Sequence, residues 1–184
     1  MEQHLPPVVL RQLPNALTTL RLAAVPVFAV LVVAADGAPS PAAAVVFAFA
    51  ALTDFLDGEL SRRLHVQTRY GRVLDPVADR LLIDVAVVLL WHDGRVPALV
   101  VPIVLGRDVL LLFSLLFGRG RQLGIRVNVV GKAGTLVTMI GLLLAIALPR
   151  GSTAAEVVLW AGVALLVVGG LVYARAVRRL HGAA

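Results

Sequence analysis

The sequence contains no cysteine. Disulfides and thiolate metal sites are therefore excluded, and redox usage says nothing about compartment. Charge is scarce too: Asp, Glu, Lys and Arg make up 15% of the 184 residues. No internal repeat with a period of roughly 20–50 residues is visible, which removes solenoids and propellers, and there is no low-complexity linker. Runs such as Ala42–Leu52 and Leu142–Leu148 lack period-two alternation, so a transmembrane barrel built from alternating strands of about ten residues is excluded. What is present is apolar. Hydrophobic residues reach 59% and mean hydropathy is +0.91, whereas a soluble domain averages about 45–50% apolar. The net charge of +6 would raise nucleic-acid binding in a soluble protein. Here the basic residues sit between apolar runs, where they read as orientation signals and contacts to anionic lipid.

Six apolar stretches, at about 15–35, 41–64, 73–92, 96–117, 129–148 and 154–175, each approach the roughly 20 residues that a membrane-spanning helix needs. The expected fold is an all-α polytopic membrane protein: one domain over 1–184, six transmembrane helices and a short N-terminal interfacial helix. Residues 1–14 supply that last element, with Val8, Val9, Leu10 and Leu13 around Arg11 and Gln12. Val33-Ala34-Ala35 resembles a signal-peptide cleavage site, but five further spans follow it. The even-numbered connections and the two ends hold Arg11, Arg21, Arg62, Arg63, Arg69, Arg72, Arg119, Arg121, Arg126, Lys132, Arg175, Arg178 and Arg179. The odd-numbered connections hold only Arg95 and Arg150. This imbalance predicts that both termini face the cytoplasm. Arg80 and Arg107 fall inside spans and need partners there.

The even side also holds the densest cluster of chemistry, Asp54 to Asp79, which reads D-x2-D-G-x2-S-R-x8-G-x3-D-x3-D. Asp54 and Asp57 share one face at the end of the second span, and Asp75 and Asp79 share one at the start of the third. A short connection makes the two helices antiparallel neighbours, so all four carboxylates can converge. Together they would raise one another's pKa values unless cations sit among them. Oxygen ligands without His or Cys select a hard divalent ion, Mg²⁺ or Mn²⁺, or Ca²⁺. Two such ions would neutralise the set and receive a pyrophosphate. Gly58 and Gly71 let a ligand approach the backbone, and Arg62 can clamp a phosphate. The competing readings are structural: helix packing at Gly58, orientation charge at Arg62, Arg63, Arg69 and Arg72, and ion pairs between the aspartates and nearby arginines.

This spacing resembles the signature of the CDP-alcohol phosphatidyltransferase family, D-x2-D-G-x2-A-R-x8-G-x3-D-x3-D, with Ser61 in place of the usual Ala. The resemblance covers most of the chain. It implies a two-metal (Mg²⁺ or Mn²⁺) site at Asp54, Asp57, Asp75 and Asp79, with Asp79 also as general base. It implies CDP contacts from Gly58, Ser61, Arg62 and Gly71, and transfer of a phosphatidyl group from CDP-diacylglycerol to an acceptor hydroxyl with loss of CMP. It also implies a homodimer in a bacterial inner or plasma membrane with a cytoplasmic active site.

The acceptor is expected near Arg107, Lys132, Arg126 and Arg119. Pro14-Asn15-Ala16-Leu17-Thr18-Thr19-Leu20-Arg21 resembles the opening of both phosphatidylglycerophosphate synthases and the cardiolipin synthases of this family. Gly106-Arg107-Asp108-Val109 and Asn128-Val129-Val130-Gly131-Lys132-Ala133-Gly134-Thr135, with Gly134 where the former more often carry a basic residue or Gln, resemble the latter. The thin cation cluster around Lys132 suits a singly charged lipid diester better than a dianionic phosphate. The sequence therefore leans towards phosphatidylglycerol as acceptor, with glycerol 3-phosphate and an inositol phosphate as alternatives. The structural reading of Arg107 is an ion pair to Asp84 or Asp108, and of Lys132 a side chain snorkelling to the interface. A transporter is the non-enzymatic alternative, but it would place carboxylates near mid-membrane.

Overall fold

The computed structural model describes the backbone of residues 8–64, 71–117 and 129–181, and the side chains of residues 19–53, 80–110, 129–172 and 175. Six helices follow in order: α1 Val8–Ala34, α2 Pro41–Leu64, α3 Gly71–His92, α4 Val100–Phe117, α5 Val129–Ala147 and α6 Thr153–His181. Among the described residues there is no strand. Two helices are long and apolar enough to cross a membrane on those residues alone, Val129–Ala147 and Thr153–Val172, while Thr19–Ala34 and Pro41–Thr53 are shorter apolar stretches.

Several sequence-based boundaries shift, α6 running on to His181 and α3 opening at Gly71. The interfacial segment over 1–14 is not a separate element: Val8–Pro14 form the first turns of α1, and residues 1–7 lie outside the described residues. A proline removes only its own donor and strains one turn, so the apolar pattern carries the helix through Pro14. α4 begins at Val100 rather than 96, because the chain folds back there. The amides of Arg95 and Val96 both bond to the carbonyl of Leu90, and Val100 bonds back to Pro97.

Three turns meet at one end of the bundle. Ser40 starts α2: its hydroxyl accepts from the amide of Ala43 at 3.3 Å, and Pro41 follows at the position that tolerates a missing donor. The preceding Asp36 and Gly37 have φ of 46° and 71°, a left-handed pair that favours glycine. The exposed Arg150 side chain lies over Gly37, its Nη2 1.6 Å from where a Cβ would sit, and can swing aside, so the backbone conformation alone calls for glycine there. Arg95, only 7% exposed, ties this turn to the others. Its Nη1 donates to the carbonyls of Ala145 at 2.7 Å and Leu148 at 2.8 Å, and its Nη2 to that of Gly37 at 2.7 Å. Burial, reinforced by Arg150 and opposed by Asp93, pulls its pKa below the usual arginine range. The amide of Ser40 reaches the carbonyl of Ile146 at 3.0 Å, adding a fourth stitch.

Between the ends, the core runs through Phe28, Phe47, Leu82, Ala86, Val87, Leu90, Val104, Leu142, Ile146 and Leu159, all 2% exposed or less. The Phe28 and Phe47 rings meet at 5.6 Å and a 47° tilt, joining α1 to α2. The α5–α6 seam is closer still. A Cβ on Gly162 would fall 2.4 Å from the amide nitrogen of Thr138, and one on Gly141 2.6 Å from Cα of Leu159. Lipid chains offer no hydrophobic drive between helices, so small residues that let backbones touch supply the association through close packing.

Candidate active site

The acidic motif lies at the end of the bundle opposite the three joined turns. Asp54, Asp57, Gly58, Ser61 and Arg62 fall in the last part of α2, Gly71 opens α3, and Asp75 and Asp79 follow within its first turns. Their side chains are outside the described set, as are Arg119 and Arg126 altogether. The topology thus brings the two halves of the motif onto neighbouring ends of consecutive helices. The donor set itself, four carboxylates without sulfur or imidazole, fits a hard divalent ion. Among the residues whose side chains are described, no other group of three metal-ligating side chains occurs.

Arg21 reads differently in the structure from its place in the charge count. It belongs to α1 and is 2% exposed, so it is not an orientation charge in solvent. Arg21, Asp54 and Asp79 each lie thirteen residues from the turn end of their helices. At the helical rise that is about 20 Å, so all three occupy one level, and α1 packs on both α2 and α3.

At a similar depth, α3, α4 and α5 meet in a charged network. Asp108, 4% exposed, accepts at Oδ1 from Nη1 of Arg80 and, at 2.9 Å, from Nη1 of Arg107. Nη2 of Arg107 donates to Oγ1 of Thr135 at 3.0 Å, and that hydroxyl donates to the carbonyl of Gly131 at 3.1 Å. Asp84 stands one turn along α3 from Arg80; its Oδ1, like Oδ2 of Asp108, is buried without a hydrogen-bond partner among the described residues. The partners expected for Arg80 and Arg107 are therefore supplied by one carboxylate. Low exposure makes this costly to break: leaving a buried charge uncompensated is worth about 3–5 kcal/mol. Lys132 is exposed on α5, one turn before Thr135. The network brings Arg107 to the turn of α5 that also carries Lys132. It also gives Arg107 the Asp108 ion pair of the structural reading.

Sequence reasoning left Arg80 without a named partner and, within the Gly131–Thr135 acceptor candidate, gave weight to Lys132 rather than Thr135. An arginine inside a span signals that a counter-ion exists but not which one. A threonine four residues after a glycine carries no visible signal until the third helix arrives. The structure also explains Gly134. A Cβ there would lie 2.8 Å from the amide nitrogen of Leu166, so contact with α6 dictates glycine whatever the acceptor. One of the features that leaned towards a lipid acceptor is thus a packing feature.

Comparison with known proteins agrees with the motif. A CDP-alcohol phosphatidyltransferase family model matches residues 11–168. Three bacterial relatives carry the name CDP-diacylglycerol–glycerol-3-phosphate 3-phosphatidyltransferase. That of Rickettsia bellii is 28% identical over 91% of this chain and 96% of its own. That of Bacillus subtilis is 30% identical over 88% and 92%, and that of Escherichia coli is 36% identical over 71% and 74%. With the signature on the paired ends of α2 and α3 and the match spanning most of the bundle, the chain belongs to the CDP-alcohol phosphatidyltransferase family, and is a phosphatidyltransferase of the membrane.

Proposed function

We propose that the protein transfers the phosphatidyl group of CDP-diacylglycerol to a hydroxyl of glycerol 3-phosphate, releasing CMP. The observation that carries this reading is the near full-length similarity to relatives named for that acceptor. It replaces the lean towards phosphatidylglycerol, part of whose support, Gly134, is accounted for by the α5–α6 contact. The chemistry of Arg107 favours the same choice. Two of the five guanidinium donors are engaged, and at 23% exposure the remaining three can meet a dianionic phosphate, with Lys132 one turn from Thr135 adding a second cation.

In this reading the six helices span the membrane, with the acidic motif and both termini on the cytoplasmic side, where a soluble acceptor and the nucleotide headgroup both have access. Asp54, Asp57, Asp75 and Asp79 would hold Mg²⁺ or Mn²⁺, which when bound would stabilise the charge developing on attacking and leaving oxygens. Gly58 and Gly71 admit the nucleotide to the backbone, Arg62 holds a phosphate, and Ser61 stands beside them. Asp79 takes the proton from the acceptor hydroxyl as its oxygen attacks phosphorus and the bond to CMP breaks. The chain works as a homodimer, as the small-residue faces of its helices permit.

One assay tests the acceptor. Purified protein with CDP-diacylglycerol and Mg²⁺ or Mn²⁺ is offered glycerol 3-phosphate, phosphatidylglycerol or inositol phosphate, and CMP release is measured. Glycerol 3-phosphate should be preferred by at least about tenfold in kcat/KM. A preference for phosphatidylglycerol would refute the reading.

A further inference from the structure

Arg107 does not simply project into space; its guanidinium is held at two points by side chains from two helices. Asp108, its neighbour on α4, takes Nη1 at 2.9 Å, and Thr135 on α5 takes Nη2 at 3.0 Å. The two partners differ in kind. Asp108 is a charge partner that also serves Arg80 on α3, so its removal would disturb two arginines and the packing of three helices. Thr135 is neutral, and its hydroxyl is already polarised because it donates to the carbonyl of Gly131 at 3.1 Å. A hydroxyl that donates to one group becomes a better acceptor for another. Only a side chain with both a donor and a lone pair can occupy this position in the chain of bonds from the α5 backbone to Arg107.

We infer that Thr135 is a positioning residue for acceptor recognition: it fixes the plane of the Arg107 guanidinium so that its free N–H groups face the acceptor's phosphate. This inference rests on the proposed role of Arg107 and extends it to a residue that makes no contact with substrate. A planar fork reads a phosphate through paired, directional bonds, so its affinity depends on which way the plane is turned. Asp108 alone leaves the group free to rotate about a single contact. The second contact, from a different helix, removes that freedom before the acceptor arrives. α5 can serve as a fixed post because its backbone lies against α6 at Gly169, where a Cβ would come within 2.8 Å of Cα of Gly131. The residue whose carbonyl anchors the Thr135 hydroxyl is thus itself held by the seam.

The test uses the full chain in detergent–lipid micelles, with CDP-diacylglycerol and glycerol 3-phosphate varied separately and CMP release followed. Thr135→Val keeps the shape and loses the hydroxyl. It should raise the KM for glycerol 3-phosphate about tenfold while leaving that for CDP-diacylglycerol within twofold, as expected for a misplaced binding group. Thr135→Ser should restore both constants to within about twofold of wild type, since the donor and lone pair return. Thr135→Ala must show the same split as Thr135→Val, which guards against a folding artefact in either variant. Equal rises in both KM values, or an unchanged KM for glycerol 3-phosphate, overturn the inference. Arg107→Gln separates the two levels. If it raises the acceptor KM and Thr135→Val does not, Arg107 binds the acceptor without positioning by Thr135. If it leaves the acceptor KM unchanged, the role of Arg107 itself is wrong and the inference falls with it.

Discussion

Replacing Arg95 with Met should unfasten the end of the bundle that carries no chemistry. Three carbonyls lose their donor: Ala145 and Leu148 at the end of α5, and Gly37 in the turn between α1 and α2. A hydrogen bond to a charged group contributes about 1.5–3 kcal/mol. Simple addition would overstate the loss, because one side chain makes all three bonds and water can replace some of them. The expected destabilisation is therefore about 3–4 kcal/mol. Arg150→Met is the matched control. It removes an equally long cation from the same end, but Arg150 is exposed, so its loss should cost no more than about 0.5 kcal/mol. Unfolding can be followed by titrating SDS into detergent-solubilised protein and reading the fluorescence of Trp91, which sits in the last turn of α3 beside this turn, and of Trp160. An unchanged midpoint for Arg95→Met, or an equal fall for Arg150→Met, would show that the three bonds do not hold this end together.

The remaining expectations concern the site and the seam. Asp75→Asn and Asp79→Asn should each lower CMP release by more than about a hundredfold, with the unfolding midpoint kept. Full activity in either would overturn the metal-site reading, and chelation with EDTA followed by Mn²⁺ should abolish and then restore release in the wild type. Gly162→Ala should cost about 1–3 kcal/mol by forcing α5 and α6 apart, whereas Gly170→Ala, whose Cβ would meet nothing within 4 Å, should be neutral or slightly stabilising in the same titration. Arg21→Met should reduce CMP release by at least about tenfold. Wild-type turnover would show that its place level with Asp54 and Asp79 has no functional weight.

Helix number and the acidic motif were legible because each rests on local information. Apolar length reveals a helix regardless of its neighbours, and the spacing of Asp54, Asp57, Asp75 and Asp79 needs only helical periodicity to pair them. Legibility fails where a residue's meaning depends on another helix. Arg95 counted as one of two stray charges in the outer connections, yet it is the tie between three turns. Arg21 counted as an orientation charge, yet it is buried. Gly134 read as a clue to the acceptor, yet its lack of a side chain is set by the backbone of Leu166. In each case the sequence shows a residue of the right type but cannot show which surface it meets. The charge count that predicts orientation treats every arginine alike, and for that reason cannot separate the buried Arg21 and Arg95 from exposed ones such as Arg150.

The stitching of the three turns has a mechanical consequence. A bundle fastened at one end behaves as a set of levers, with Arg95 near the fulcrum and the acidic motif near the tips. α2, with 24 residues, is about 36 Å long, so a tilt of about 5° about that end would carry its far end about 3 Å sideways, a little over half the pitch of a helical turn. Displacement is smallest where the turns are tied and greatest where a two-chained lipid must enter beside a nucleotide. Any given tilt thus moves the motif end most and leaves the tied turns almost in place.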